Sequence, residues 1–152
     1  MKRTEPREPL AGNPVPPLPC ACANLRRATR IVTQLYDEEL RPAAMRATQF
    51  TLLQALVKAK NISQGALGEV LGLDSTTLTR TLALLRKKGW IQARQGEDRR
   101  QVRLALTPKG MREYRCARPY WLSAQQRLRA ALGEARWNRI LDATFGVASH
   151  VR

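Results

Sequence analysis

The chain has 152 residues and a formal charge of +15, with 27 lysines and arginines against 12 aspartates and glutamates. That length holds one domain, or one domain with a helical extension. The charge points to a polyanionic partner without separating nucleic acid from an anionic membrane surface, and no run is long and apolar enough to be a transmembrane helix.

Residues 1–19 read as a proline-rich flexible arm, because Pro6, Pro9, Pro14, Pro16, Pro17 and Pro19 deny it a regular helix. An extended arm that packs on a partner subunit is the alternative. No apolar stretch precedes these prolines, so a secretory signal is not expected, and a cytoplasmic protein is. In that compartment the three cysteines are expected as thiols rather than disulfides.

Residues 20–45 read as a helix of about five turns and a linker. Leu25, Ala28, Val32, Leu35 and Tyr36 make its apolar stripe, with Ile31 beside it. Asp37, Glu38 and Glu39 crowd its C-terminal end, where the helix dipole disfavours them, so partners elsewhere in the fold are expected. Pro42 disfavours helix at Arg41.

Residues 46–107 carry the densest pattern. A helix from about Thr48 to Ala59 has Phe50, Leu53, Leu56 and Val57 as apolar positions. Ser63 suits the N-cap of a short helix that would bury Leu67, Val70 and Leu71 and end at Gly72. Asp74 suits the N-cap of a second helix, in which Leu78, Leu82 and Leu85 form a stripe broadened by Leu84. Ser75, Thr76, Thr77, Thr79 and Arg80 then lie at its N-terminal end or on its polar faces, where a recognition helix meets base edges and phosphates. Arg86, Lys87 and Lys88 fill the last turn before a stop at Gly89.

Trp90–Arg94 and Val102–Leu106 read as a short hairpin, since Val102, Leu104 and Leu106 alternate with Arg103 and Ala105. Its connection, QGEDRRQ, has a turn glycine and a basic tip suited to a phosphate backbone or a minor groove. Two helices followed by a basic hairpin spell a winged helix-turn-helix.

Residues 108–148 read as a long helix and a last helix. Thr107 and Pro108 supply a capping hydroxyl and a proline at the first helical position. Pro119 predicts a kink, Gly133 a break, and the last helix runs from Glu134 to about Phe145 with Trp137, Ile140 and Leu141 apolar. Residues 149–152 form a tail. The predicted fold is thus mainly α with a small β-hairpin wing, flanked by N- and C-terminal dimerisation helices. The outer helices hold more apolar surface than the reading unit covers, so a homodimer that binds a pseudo-palindromic site on double-stranded DNA is expected.

Taken together, these residues resemble the MarR family of bacterial transcriptional regulators. Gln64–Leu71 resembles the family's first helix-turn-helix helix, and DSTTLTR from Asp74 to Arg80 the start of its recognition helix. LRKKGWI from Leu85 to Ile91 is similar to the end of that helix and the first wing strand. Asp98-Arg99-Arg100, followed by Leu106-Thr107-Pro108-Lys109-Gly110, is the most specific part. The resemblance covers about Cys20 to Ala148. It implies a triangular homodimer, commonly a repressor weakened by a ligand or oxidant, in which Asp98 orients Arg100 and Arg99 or Arg100 enters the minor groove.

The family's small-molecule site falls near Leu35, Tyr36, Phe50, Leu53 and Tyr114, which are also ordinary core residues. Cys20, Cys22 and Cys116 suggest a second device: a soft metal ion at thiolates or oxidation of thiols. DNA binding itself requires no cofactor. The sequence shows no catalytic triad, phosphate-binding glycine loop or carboxylate pair, and its one histidine, His150, lies in the tail, so no enzyme is expected. A winged protein that buffers a ligand or metal and a non-specific architectural DNA-binding protein are the other readings.

Overall fold

A computed structural model of the chain describes residues 18–95 and 102–150. The proline-rich arm up to residue 17 and the wing tip with Asp98, Arg99 and Arg100 lie outside the described residues.

Six α-helices and three strands occur among the described residues, in the order α1 (Ala21–Leu40), α2 (Ala47–Ala59), β1 (Ile62–Ser63), α3 (Gln64–Leu71), α4 (Ser75–Lys87), β2 (Ile91–Gln95), β3 (Val102–Leu106), α5 (Pro108–Leu132) and α6 (Glu134–His150). A single 3-10 turn, Arg41–Ala43, joins α1 to α2. None of the helices is long and apolar enough to cross a membrane.

The crowded acids of α1 are used across elements. Asp37 accepts from the Ala47 backbone N–H at 2.7 Å and from Arg46 at 2.9 Å. A carboxylate misplaced on its own helix thereby caps the positive end of the next one. Glu39 accepts from Ser123 at 2.9 Å and Arg127 at 3.1 Å, and Arg127 also pairs with Glu38, tying α1 to α5.

The core joins α2, α3, α4 and the sheet. Phe50, Leu52, Leu53, Leu56, Leu67, Leu78, Leu82, Leu85 and Leu104 are almost wholly enclosed. Phe50 stacks against Tyr114 and Trp121, at centroid distances of 5.2 and 5.5 Å, which welds α2 to α5.

The caps stand where local chemistry puts them. Ser63 accepts from Ala66 N at 3.2 Å, Asp74 from Thr77 N at 2.9 Å and Thr107 from Gly110 N at 3.0 Å. Gly89 has φ +70°, which lets Trp90 N close on Leu85 O at 3.0 Å and ends α4.

Several expectations need correction. Val70 is 69% exposed, because the buried arc of α3 runs through Leu67, Gly68 and Leu71. A Cβ on Gly68 would stand 3.3 Å from both Leu73 O and the Leu78 side chain, so α4 packs close against that glycine. Leu84 is also exposed and does not broaden the α4 stripe; it lies about 100° around the helix from Leu85. β1 has no counterpart in the sequence reading. It extends the hairpin to an antiparallel sheet of order β1-β3-β2, with Ile62 opposite Leu104 and Ser63 opposite Arg103. Finally, α6 continues to His150 rather than stopping near Phe145, taking in the first two residues of the expected tail.

The apolar stripe of α1 is incompletely covered. Val32, Leu35 and Tyr36 are half-buried, while Leu25, Ala28 and Ile31 are exposed. No residue of α6 is buried, and Ile140, Leu141, Phe145 and Val147 all face outward.

Candidate nucleic-acid interface

The face that α4 presents follows from its register. At about 100° per residue, Thr76 and Arg80 fall opposite the buried Leu78, Leu82 and Leu85. Ser75 and Thr79 lie to one side of that line and Thr77 to the other. All five are exposed. The sequence-predicted residues of α4 are therefore brought together on the exposed surface of one helix, with Ser75 nearest its buried side.

Their hydroxyls are not equivalent. Thr77 Oγ1 donates to Asp74 Oδ2 at 2.6 Å, so its proton is committed to the cap. These bonds from Thr77 hold the Asp74 carboxyl below the usual carboxylate range. Thr81 Oγ1 donates to Thr77 O at 2.9 Å within the helix. Thr79 Oγ1 instead accepts from Gln64 Nε2 of α3 at 3.1 Å.

Positive charge continues past the helix. Arg86 and Lys87 are exposed at the C-terminal end of α4, and Lys88 Nζ sits 4.2 Å from the Trp90 ring centroid. Lys109 donates to Lys88 O at 2.9 Å, bringing another cation to the same end. In the hairpin Arg94 and Arg103 are direct register partners. Like charges so opposed are unfavourable unless something negative joins them. Sequence reasoning did not single out this pair. The alternation was legible: Leu104 points into the core, so Arg103 and its partner share the other face. Arg103 also reaches Asn61 O at 3.4 Å. Asp98, Arg99 and Arg100, the predicted tip residues, belong to the undescribed connection between these strands.

The wing is anchored to the long helix at one tight joint. Thr107 N donates to Trp90 O at 3.0 Å, and its hydroxyl donates to Gly89 O at 2.7 Å. Gly110 is buried directly against the Trp90 carbonyl.

Of the residues predicted for a small-molecule pocket, Phe50 and Leu53 are fully buried and Tyr114 packs with them in one core cluster. Leu35 and Tyr36 are half-buried on α1, and burial pushes the Tyr36 hydroxyl pKa up. The three cysteines are free and exposed. Cys22 lines a mostly apolar groove of about 610 Å³ with Leu25 and Arg26 of α1 and Val147 of α6. Among the described residues of the single chain, no three metal-ligating side chains stand together.

A short helix, a tight turn, an exposed polar second helix and a basic antiparallel hairpin define a winged helix-turn-helix protein. The comparisons with known proteins agree. The chain belongs to the MarR family, whose family model matches residues 45–101. It is 33% identical to the M. tuberculosis transcriptional regulator MosR, solved in complex with DNA, with a TM-score of 0.78 over 86% of this chain and 94% of that one. The uncharacterized HTH-type transcriptional regulator YwoH of Bacillus subtilis is 29% identical over 90 residues, 59% of this chain and 66% of YwoH. SarZ of Staphylococcus haemolyticus is 33% identical over 91 residues, 59% of this chain and 62% of SarZ. The chain thus spans just under two thirds of the length of these two curated relatives.

Proposed function

We propose that the protein is a homodimeric, sequence-specific DNA-binding transcriptional regulator, acting as a repressor on a pseudo-palindromic operator. The observation that carries this is the exposed surface of α4: Thr76 and Arg80 stand opposite the leucines that fix the helix to its core, with Ser75 and Thr79 exposed beside them. Such a surface offers hydrogen bonds to base edges in a major groove, while the arginines of the wing supply sequence-independent attraction to phosphates. MosR, similar over nearly its whole length, was crystallised with DNA. Arg99 and Arg100 are assigned to the minor groove and Asp98 to orienting Arg100. The partner being chromosomal, the location is cytoplasmic.

The uncovered faces of α1 and α6 support the dimer. Two copies interlocked through these helices bury Ile140, Leu141 and Phe145 and hold two copies of α4 about one DNA turn apart. Release from the operator is assigned to the helices flanking the reading unit, through a small ligand near Leu35, Tyr36, Phe50, Leu53 and Tyr114, or through a soft metal or oxidant at Cys20, Cys22 and Cys116.

A gel-shift titration on the promoter of its own gene, repeated across a salt series, tests the reading. Specific binding with a steep loss on added salt supports it. Equal affinity for promoter and random duplex returns the architectural alternative. No binding to any neighbouring palindrome at low salt leaves a winged protein that buffers a ligand or metal.

A further inference from the structure

Gln64, at the start of α3, has no place in the DNA-contacting set above. Its side-chain amide nevertheless crosses to α4 and donates to Thr79 Oγ1 at 3.1 Å. A threonine hydroxyl has one proton and two lone pairs, and a free one rotates to suit its surroundings. On a helix the proton's usual sink is the carbonyl four residues back. Thr81 uses that sink, and Thr77 gives its proton to Asp74. The Thr79 oxygen is held instead from the acceptor side, which leaves its O–H as the group turned toward whatever approaches α4.

We propose that Gln64 is a specificity-determining positioning residue: by occupying a lone pair of Thr79 Oγ1 it presets that hydroxyl as a donor toward a base edge. The proposal rests on the reading that α4 enters a major groove. A donor matches guanine O6 or N7, adenine N7 or thymine O4, and does not match the amino group of cytosine. Thr77 has the opposite polarity, since a hydroxyl whose proton belongs to a carboxylate offers only lone pairs. One helix thus carries two threonines of fixed and contrary sense, one set by its own cap and the other by the preceding helix. Fixing the donor in advance removes the rotor entropy otherwise lost on binding.

The test is selection from a randomised duplex pool with the wild-type chain, Gln64→Ala, Gln64→Glu, Thr79→Val and the Gln64→Ala/Thr79→Val double variant. Thermal midpoints are recorded for each, so that a folding defect is seen separately. The wild type is expected to favour an acceptor-bearing base at one position per half-site by about five-fold, the worth of one hydrogen bond. Thr79→Val and Gln64→Ala should each flatten that same position and leave the others unchanged. The double variant should lose no more than Thr79→Val alone. Gln64→Glu, whose carboxylate accepts the Thr79 proton, should shift the position toward a base with an amino group. If the wild type selects no sequence at all, the DNA-reading function fails and takes the proposal with it. If the wild type selects a clear site but Gln64→Ala acts at a different position from Thr79→Val, or the two losses add, only the role of Gln64 is overturned.

Discussion

Gly110→Ala should destabilise the protein far more than a single methyl suggests. A Cβ built on Gly110 stands 1.9 Å from Trp90 O, 2.7 Å from Trp90 C and 3.0 Å from Trp90 Cα. All three are backbone atoms, so no rotamer change relieves the overlap. Separating them to an ordinary contact moves α5 off the base of the wing by more than 1 Å. That shift strains the 3.0 Å bond from Thr107 N to Trp90 O and the 2.7 Å bond from the Thr107 hydroxyl to Gly89 O. Two such bonds at about 1 kcal/mol each, with an overpacking cost of about 1–3 kcal/mol, give about 3–5 kcal/mol. A domain with about 5–15 kcal/mol in total loses much of its stability by this change. Urea unfolding followed by circular dichroism, at one fixed protein concentration because a dimer's midpoint depends on it, measures the difference. A Gly110→Ala variant within about 0.5 kcal/mol of wild type, the range of a neutral surface change, refutes the reasoning. The joint between wing and long helix would then be looser than these distances say.

Four further outcomes are expected. Phe145→Glu should weaken self-association by at least ten-fold, roughly the worth of one buried phenylalanine, in sedimentation equilibrium; an unchanged dimer constant removes α6 from the interface. Arg100→Ala should lower the slope of log affinity against log salt by about one for each protomer contact, and an unaltered slope takes that residue off the phosphates. The stability difference between wild type and Asp74→Asn should be constant above about pH 4 and shrink in more acidic solution. The sign follows from the folded carboxyl titrating below its unfolded value, so its contribution is complete above the unfolded pKa and is lost as pH falls through the folded one. A difference that persists unchanged into acid shows that ionisation of Asp74 does not matter. For the thiols, peroxide treatment should change operator affinity in the wild type and not in a Cys20→Ser/Cys22→Ser/Cys116→Ser variant; equal behaviour of the two ends the case for thiol sensing.

What could be read from the sequence was set by range. The caps at Ser63, Asp74 and Thr107 act over three residues, and each stands where it was expected. The α4 stripe spans two turns, enough for its phase to show. The α3 helix has only eight residues, too few for its apolar pattern to show that the buried arc turns toward Gly68 and leaves Val70 exposed. β1 is two residues long and exists only because Leu104 and Arg103 lie beside it, a pairing across about forty positions that no local pattern carries. The same holds for Asp37 capping α2 and for Gln64 reaching Thr79. For the predicted site, the exposed residues of α4 were visible as a polar face. The division of their hydroxyls into donor and acceptor was not, because it depends on partners in α3 and in the cap.

Under the proposed function, these ranges also say where regulation would act. The reading unit is closely packed from Phe50 on α2 to Leu104 on β3, in a core that also takes in Leu40 of α1 and Ala117 of α5. An effector bound elsewhere therefore gains little by deforming α4 itself, whose stripe is fully packed. What it can change is the placement of the whole unit. That placement passes through the Thr107–Trp90–Gly110 joint to α5, through the Phe50–Tyr114 and Phe50–Trp121 stacks, and on to α1 through the bonds of Glu39 to Ser123 and Arg127 of α5. The bonds of Glu39 are exposed, and surface ion pairs are individually weak. The aromatic stack and the glycine joint are close-packed and transmit displacement with little loss. A signal that moves α1 against α5 thus reaches the DNA-facing surface as a rigid shift of α4. Under the proposed function, operator affinity responds to the distance between two copies of this unit more than to the chemistry of either one.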